Sequence, residues 1–151
     1  MKKTLLFSLL SLFFVPIFAQ SYNEEHTNLA NYLKRMYNNT KFEGMKIVED
    51  YDNKYLISVL SLEKAKYPKE SDMYRVAQVK ALRQASEFVN GGTITSDLII
   101  RTTENASGEE VTIETMEKMR TVGFVQGMEL LINFASSDET QMVFIYLRKI
   151  E

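Results

Sequence analysis

His26 is the chain's only histidine, and it follows Glu24 and Glu25. Imidazole and carboxylate together can ligate zinc or pass a proton. Residues one and two apart on a helix do not share a face, so this trio does not converge on one ion. The absence of cysteine removes thiolate metal sites and disulfides. Glu49, Asp50 and Asp52 offer the oxygens calcium prefers, but the D-x-D-x-D-G spacing with its distal Glu is missing. They read as a solvated turn. Asp97 and Arg101 fall on one face of an expected strand, four residues apart, which separates them too far for a catalytic pair. Ser58, Ser86 and Ser96 have no G-x-S-x-G elbow around them and read as small polar positions. The expected catalytic, cofactor-binding and metal-ligating residues are therefore none.

Six glycines carry the other candidate signals. Gly91 and Gly92 close a helical pattern and precede a strand pattern, the reverse of a phosphate-binding loop. They read as a C-cap that tolerates the left-handed position. Gly123 and Gly127 lie inside a long alternating stretch. A bulge, a sharp bend or a close helix approach accounts for them; a ligand against exposed backbone is the functional alternative. Tyr32, Tyr37, Tyr51, Tyr55, Tyr67, Tyr74 and Tyr146 have the area and polar tips that suit either core edges or an interface. Asn38-Asn39-Thr40 and Asn105-Ala106-Ser107 match the glycosylation pattern, which marks exposed turns.

The element that must organise these residues runs from Ser71 to Gly92. Ser71 is the expected N-cap, with Asp72 in the first turn. Ala77, Ala81, Leu82, Arg83, Gln84 and Ala85 are good helix formers. One face carries Tyr74, Ala77, Ala81, Ala85 and Phe88, and small residues at one-turn spacing let the helix approach a second layer closely. Before it, Ser21 to Asn39 predicts an N-terminal helix. Gly44–Glu49 and Lys54–Lys64 predict a β-hairpin closed by Asp50-Tyr51-Asp52-Asn53. Its second arm places Leu56, Ser58, Leu60 and Leu62 on one face and Tyr55, Ile57 and Val59 on the other.

After Gly92 the apolar period becomes two. Strands are expected at Ile94–Arg101, around Val111 to Thr115, from Val122 to Phe134, and at Met142–Leu147. Strands apolar on both faces are covered on both, by the central helix on one side and by the N-terminal helix or a partner on the other. The expected fold is α+β, an antiparallel sheet of about four to five strands packed by a central Ala-rich helix, with an additional N-terminal helix.

Lys2 and Lys3, the apolar run Thr4–Val15 and the stretch ending at Ala19 have the layout of a secretory signal peptide. Residues 1–19 are expected to be removed, leaving a single domain from Gln20 to Glu151. No stable membrane anchor would remain, and the location would be periplasmic or secreted. The formal charge is −2, and loss of Lys2 and Lys3 makes it −4. Charges are interspersed, and no basic block is present to bind nucleic acid.

Lys80-Ala81-Leu82-Arg83-Gln84-Ala85, Glu87-Phe88 and Gly91-Gly92-Thr93-Ile94-Thr95-Ser96 are followed by Gly123-Phe124-Val125-Gln126-Gly127 and Val143-Phe144-Ile145-Tyr146-Leu147-Arg148. Over about Lys54 to Lys149 this order resembles the small bacterial surface lipoproteins of the twenty-kilodalton type (LPP20-like) and the related N-terminal domain of a flagellar assembly protein. The resemblance implies an α+β fold, an envelope location and no catalytic group. The chain departs from it in lacking a lipobox cysteine, so it would be released, and in carrying nothing that ties it to a flagellum.

The functional expectation is a noncatalytic exported domain acting through protein–protein contact or cell-envelope assembly. Its partner would be an unknown envelope protein or a second copy, with no cofactor. The alternatives are a small-ligand module with a pocket near Phe124 or Phe134, and a hydrolase of unknown type using His26 and scattered carboxylates.

Overall fold

The computed structural model describes residues 17–92, 96–102, 119–120 and 123–150. Helix α1 spans Ile17–Asn39. Leu29, Ala30, Leu33 and Tyr37 are buried along it, the three- and four-residue steps of one helical face. Strands β1 (Gly44–Asp50) and β2 (Asn53–Glu63) form the hairpin. Asp50 pairs with Asn53, so Tyr51 and Asp52 alone make the turn. Helix α2 runs Glu70–Gly91, and β3 (Ile99–Arg101), β4 (Glu129–Ala135) and β5 (Gln141–Lys149) complete the sheet.

The fold is α+β, with strand order β3-β1-β2-β5-β4. The β1–β2, β2–β5 and β4–β5 pairs are antiparallel. The wholly antiparallel expectation fails at one edge, where β3 lies parallel to β1. The reason is topological: β1 turns into β2, and α2 then carries the chain back across the sheet to the outer side of β1. Strand β2 has already returned the chain to the end where β1 began, so β3 enters in the direction of β1. Between Leu130 and Ile132 the β4–β5 register slips, a bulge.

Alternation along β2 and β5 builds two cores. Leu56, Leu60, Leu62, Phe144 and Tyr146 face α2, with Met73, Ala77, Ala81, Ala85 and Val89 packed on them. Tyr55, Ile57, Val59, Val143, Ile145 and Leu147 face α1, against Leu29, Leu33 and Tyr37. The N-terminal helix thus covers the second face.

Several local expectations are corrected. Helix α2 starts at Glu70 with Lys69 as N-cap and no side-chain cap bond, so Ser71 is an interior residue. The helix begins as soon as the chain clears Pro68, whose ring disfavours helix in the residue before it. The buried line of α2 is centred on Met73, Ala77, Ala81, Ala85 and Val89. Tyr74 and Phe88 are its half-buried margins. Gly92 is extended at φ −74° and ψ 150° instead of left-handed.

Ser96–Leu98 form a 3-10 turn, leaving only three residues of β3 where eight were expected as strand, with 93–95 outside the described residues. The Val122–Phe134 strand shrinks to β4, and Val125–Gly127 form another 3-10 turn. Residues 103–118, with the expected Asn105–Gly108 turn and Val111–Thr115 strand, lie outside the described residues. Met119 is helical.

Candidate functional site

The predicted chemical residues do not gather. His26, half-buried on α1, sets its ring edge-on to Tyr55, 6.2 Å between centroids. Glu25 turns aside to accept from Asn53 Nδ2 at 2.5 Å, and Glu24 is exposed. Among the described residues no group of His, Asp and Glu is placed to hold a metal ion. Asp97 sits in the 3-10 turn, where its backbone oxygen accepts from Lys46 Nζ at 2.8 Å. It therefore does not share a strand face with Arg101.

The acidic turn is the clearest correction. Only Asp52 is a solvated turn residue. Glu49 is 2 % exposed and Asp50 is buried. The register places Glu49 between Lys54 on β2 and Arg101 on β3. Arg101 Nε donates to Glu49 Oε2 at 2.9 Å, and Lys54 Nζ stands 4.0 Å from Oε1. Thr102 Oγ1 donates to Asp50 Oδ1, and Tyr32 Oη to the Arg101 carbonyl at 3.1 Å. This polar end of the sheet ties β3 and α1 to the hairpin. The Glu49–Lys54 pair was readable across a two-residue turn; Arg101, fifty-two residues away, left no local signal.

The serines are structural as well. Ser58 is fully buried and donates to Gln84 Oε1 of α2 at 2.6 Å. Ser86 Oγ lies 3.4 Å from Asn90 Nδ2. Gly92, Gly123 and Gly127 have steric explanations. A Cβ on Gly92 would lie 2.5 Å from the Phe88 carbonyl oxygen, while open space surrounds Gly91. Gly123 takes φ 90°, the sharp bend, a conformation side chains disfavour. Gly127 meets a side chain instead of a helix: a Cβ there would overlap the Arg148 guanidinium, which also donates to the Gly127 carbonyl at 3.3 Å. Phe124 and Phe134 are both buried, in separate cores on opposite faces.

Among the tyrosines, Tyr74 Oη accepts from Asn133 Nδ2 at 2.8 Å and its ring meets Phe144 edge-on. Burial raises the phenol pKa of Tyr146, with Tyr74 adding to the shift. Burial and then the Glu43 charge raise that of Tyr37. Tyr51, by contrast, is 71 % exposed at the hairpin tip.

What remains open is the outer face of α2. Val79 is 66 % exposed, diametrically opposite the alanine line. Asp72, Arg75, Val76, Val79 and Lys80 line a groove of about 430 Å³. Its floor is aliphatic and its rim carries both signs of charge. About 3.6 residues per turn put Val79 on the side of α2 away from the sheet, while half-buried Val76 also packs against the α2-side core. Among the described residues no helix is long and apolar enough to cross a membrane. No family model, curated protein or solved structure matches the chain.

Proposed function

We propose that this chain is a noncatalytic exported domain that works by protein–protein contact, as a component of envelope assembly released from any membrane anchor. The observation that carries this reading is the outer face of α2. Val76 and Val79 give a groove of about 430 Å³ an aliphatic floor, and Asp72, Arg75 and Lys80 give it a charged rim, the apolar-centre, polar-rim layout of a contact surface. Several polar groups support the same reading, because they bond to one another across elements of the fold, with Glu49 Oε1 alone among them left without a hydrogen bond. Glu49 is held by Arg101, Asp50 by Thr102 and Ser58 by Gln84. The envelope location and the likeness to the twenty-kilodalton lipoproteins belong to the same proposal.

Site-specific photocrosslinking tests it. A photoreactive residue at Val79 should give a discrete, saturable adduct in producing cells, whereas one at exposed Asn38 on α1 should not. Equal labelling from both positions, or none from Val79, would overturn the reading.

A further inference from the structure

The outer ridge of α2 has a pattern that fits a copy of itself. With about 3.6 residues per turn, Asp72, Val76, Val79 and Arg83 fall within a narrow strip on the outer side of α2, Val76 at its inner margin where it also packs against the core. Asp72, Val79 and Arg83 are exposed and Val76 is half-buried. The strip reads acid, aliphatic, aliphatic, base from one end to the other. Turned end for end it becomes base, aliphatic, aliphatic, acid, the complement of the original. A two-fold axis requires that kind of self-complementarity, since the same patch serves both subunits.

We propose that α2 of one copy packs antiparallel on α2 of a second copy, about a two-fold axis between Val76 and Val79. Val76 of each copy then lies against Val79 of the other, and Asp72 of each against Arg83 of the other. Arg75 and Lys80 fall on opposite flanks of the strip, outside its centre, each on the same flank as its own symmetry mate. Arg83 already holds Glu87 through Nε at 2.7 Å, and the guanidinium has further donors for a second carboxylate. One helix strip is a small interface, so the association is weak, on the order of micromolar or weaker, and salt-sensitive. This inference rests on the reading of the α2 outer face as a contact surface.

Sedimentation equilibrium on the purified chain tests it, with thermal melts as a check on folding. The wild type should show a monomer–dimer equilibrium. Asp72→Arg and Arg83→Asp should each weaken it at least about tenfold, and the double exchange should restore it. Val79→Lys, at an exposed position that leaves the fold intact, should abolish it. A chain that stays monomeric at millimolar concentration would overturn the proposal, as would a dimer indifferent to all these substitutions. Should crosslinking from Val79 capture a different protein while sedimentation shows only monomer, the self-association falls and the contact reading stands. Should Val79 capture nothing, the contact reading falls with it.

Discussion

Asp138 sits in the turn between β4 and β5, and its carboxylate accepts from Ser136 Oγ at 2.5 Å and from the Thr140 amide at 3.2 Å. Hydrogen bonds to the charged form favour it. The Ser136 hydroxyl and then the Thr140 amide lower the Asp138 pKa from 3.8 to about 2. A carboxylate lowered on folding stabilises the folded state above its unfolded value, and that contribution fades as pH falls from about 4 toward 2. A carboxyl NMR titration should therefore place Asp138 near 2, and Ser136→Ala should move it up toward the ordinary value. A wild-type midpoint near 3.8 would show the turn bonds are absent. The turn itself was legible, because Ser136-Ser137-Asp138-Glu139-Thr140 interrupts two apolar runs. The burial of Glu49 was not. A hydrophilic residue beside a turn normally faces water, and only the long-range arrival of Arg101 makes its burial tolerable.

At the scale of the element, α2 shows why small residues were the useful signal. Ala77, Ala81 and Ala85 are fully buried and leave no room between helix and sheet. Ala81→Leu should cost about 1–3 kcal/mol by overpacking, read as a lowered midpoint in chemical denaturation. Val79→Ala on the open side should stay within about 0.5 kcal/mol. Equal effects would mean that the helix is turned differently. The β2 and β5 strands were legible because short runs rich in aromatic and β-branched residues, apolar on both faces and bounded by turn residues, suit strands covered on both sides. The stretch before β4 was misread because its spacing is ambiguous. Phe124 and Met128 are both buried in the α2-side core, and a separation of four suits one strand face and one helical face equally. The sequence carries Gly123 at φ 90° and a 3-10 turn between them instead. The Ser96–Leu98 part of the expected Ile94–Arg101 strand became a 3-10 turn, and β3 pairs with β1 through only three residues.

Among the described residues the whole molecule is a sheet between two α-helices, and α1 closes the face that α2 leaves bare. Leu33 is fully buried in this second core. Leu33→Ala should therefore cost about 2–5 kcal/mol in the same denaturation experiment. A negligible change would mean that α1 is detached in solution. The helix was expected from its periodicity, but which surface it would cover was open, since docking depends on a sheet whose order cannot be read locally. The parallel β3 was hidden for the same reason: it pairs with a strand some fifty positions earlier.

The slipped register in β4 has a consequence for what can add to this edge of the sheet. Strand β4 ends the sheet, and an unpaired row of amides and carbonyls normally invites another strand to dock. A visitor laid along Glu129–Ala135 would fall out of step at Leu131 after two residues, its inward side chains pointing outward from there on. Side-by-side stacking through this edge of the sheet is thereby frustrated.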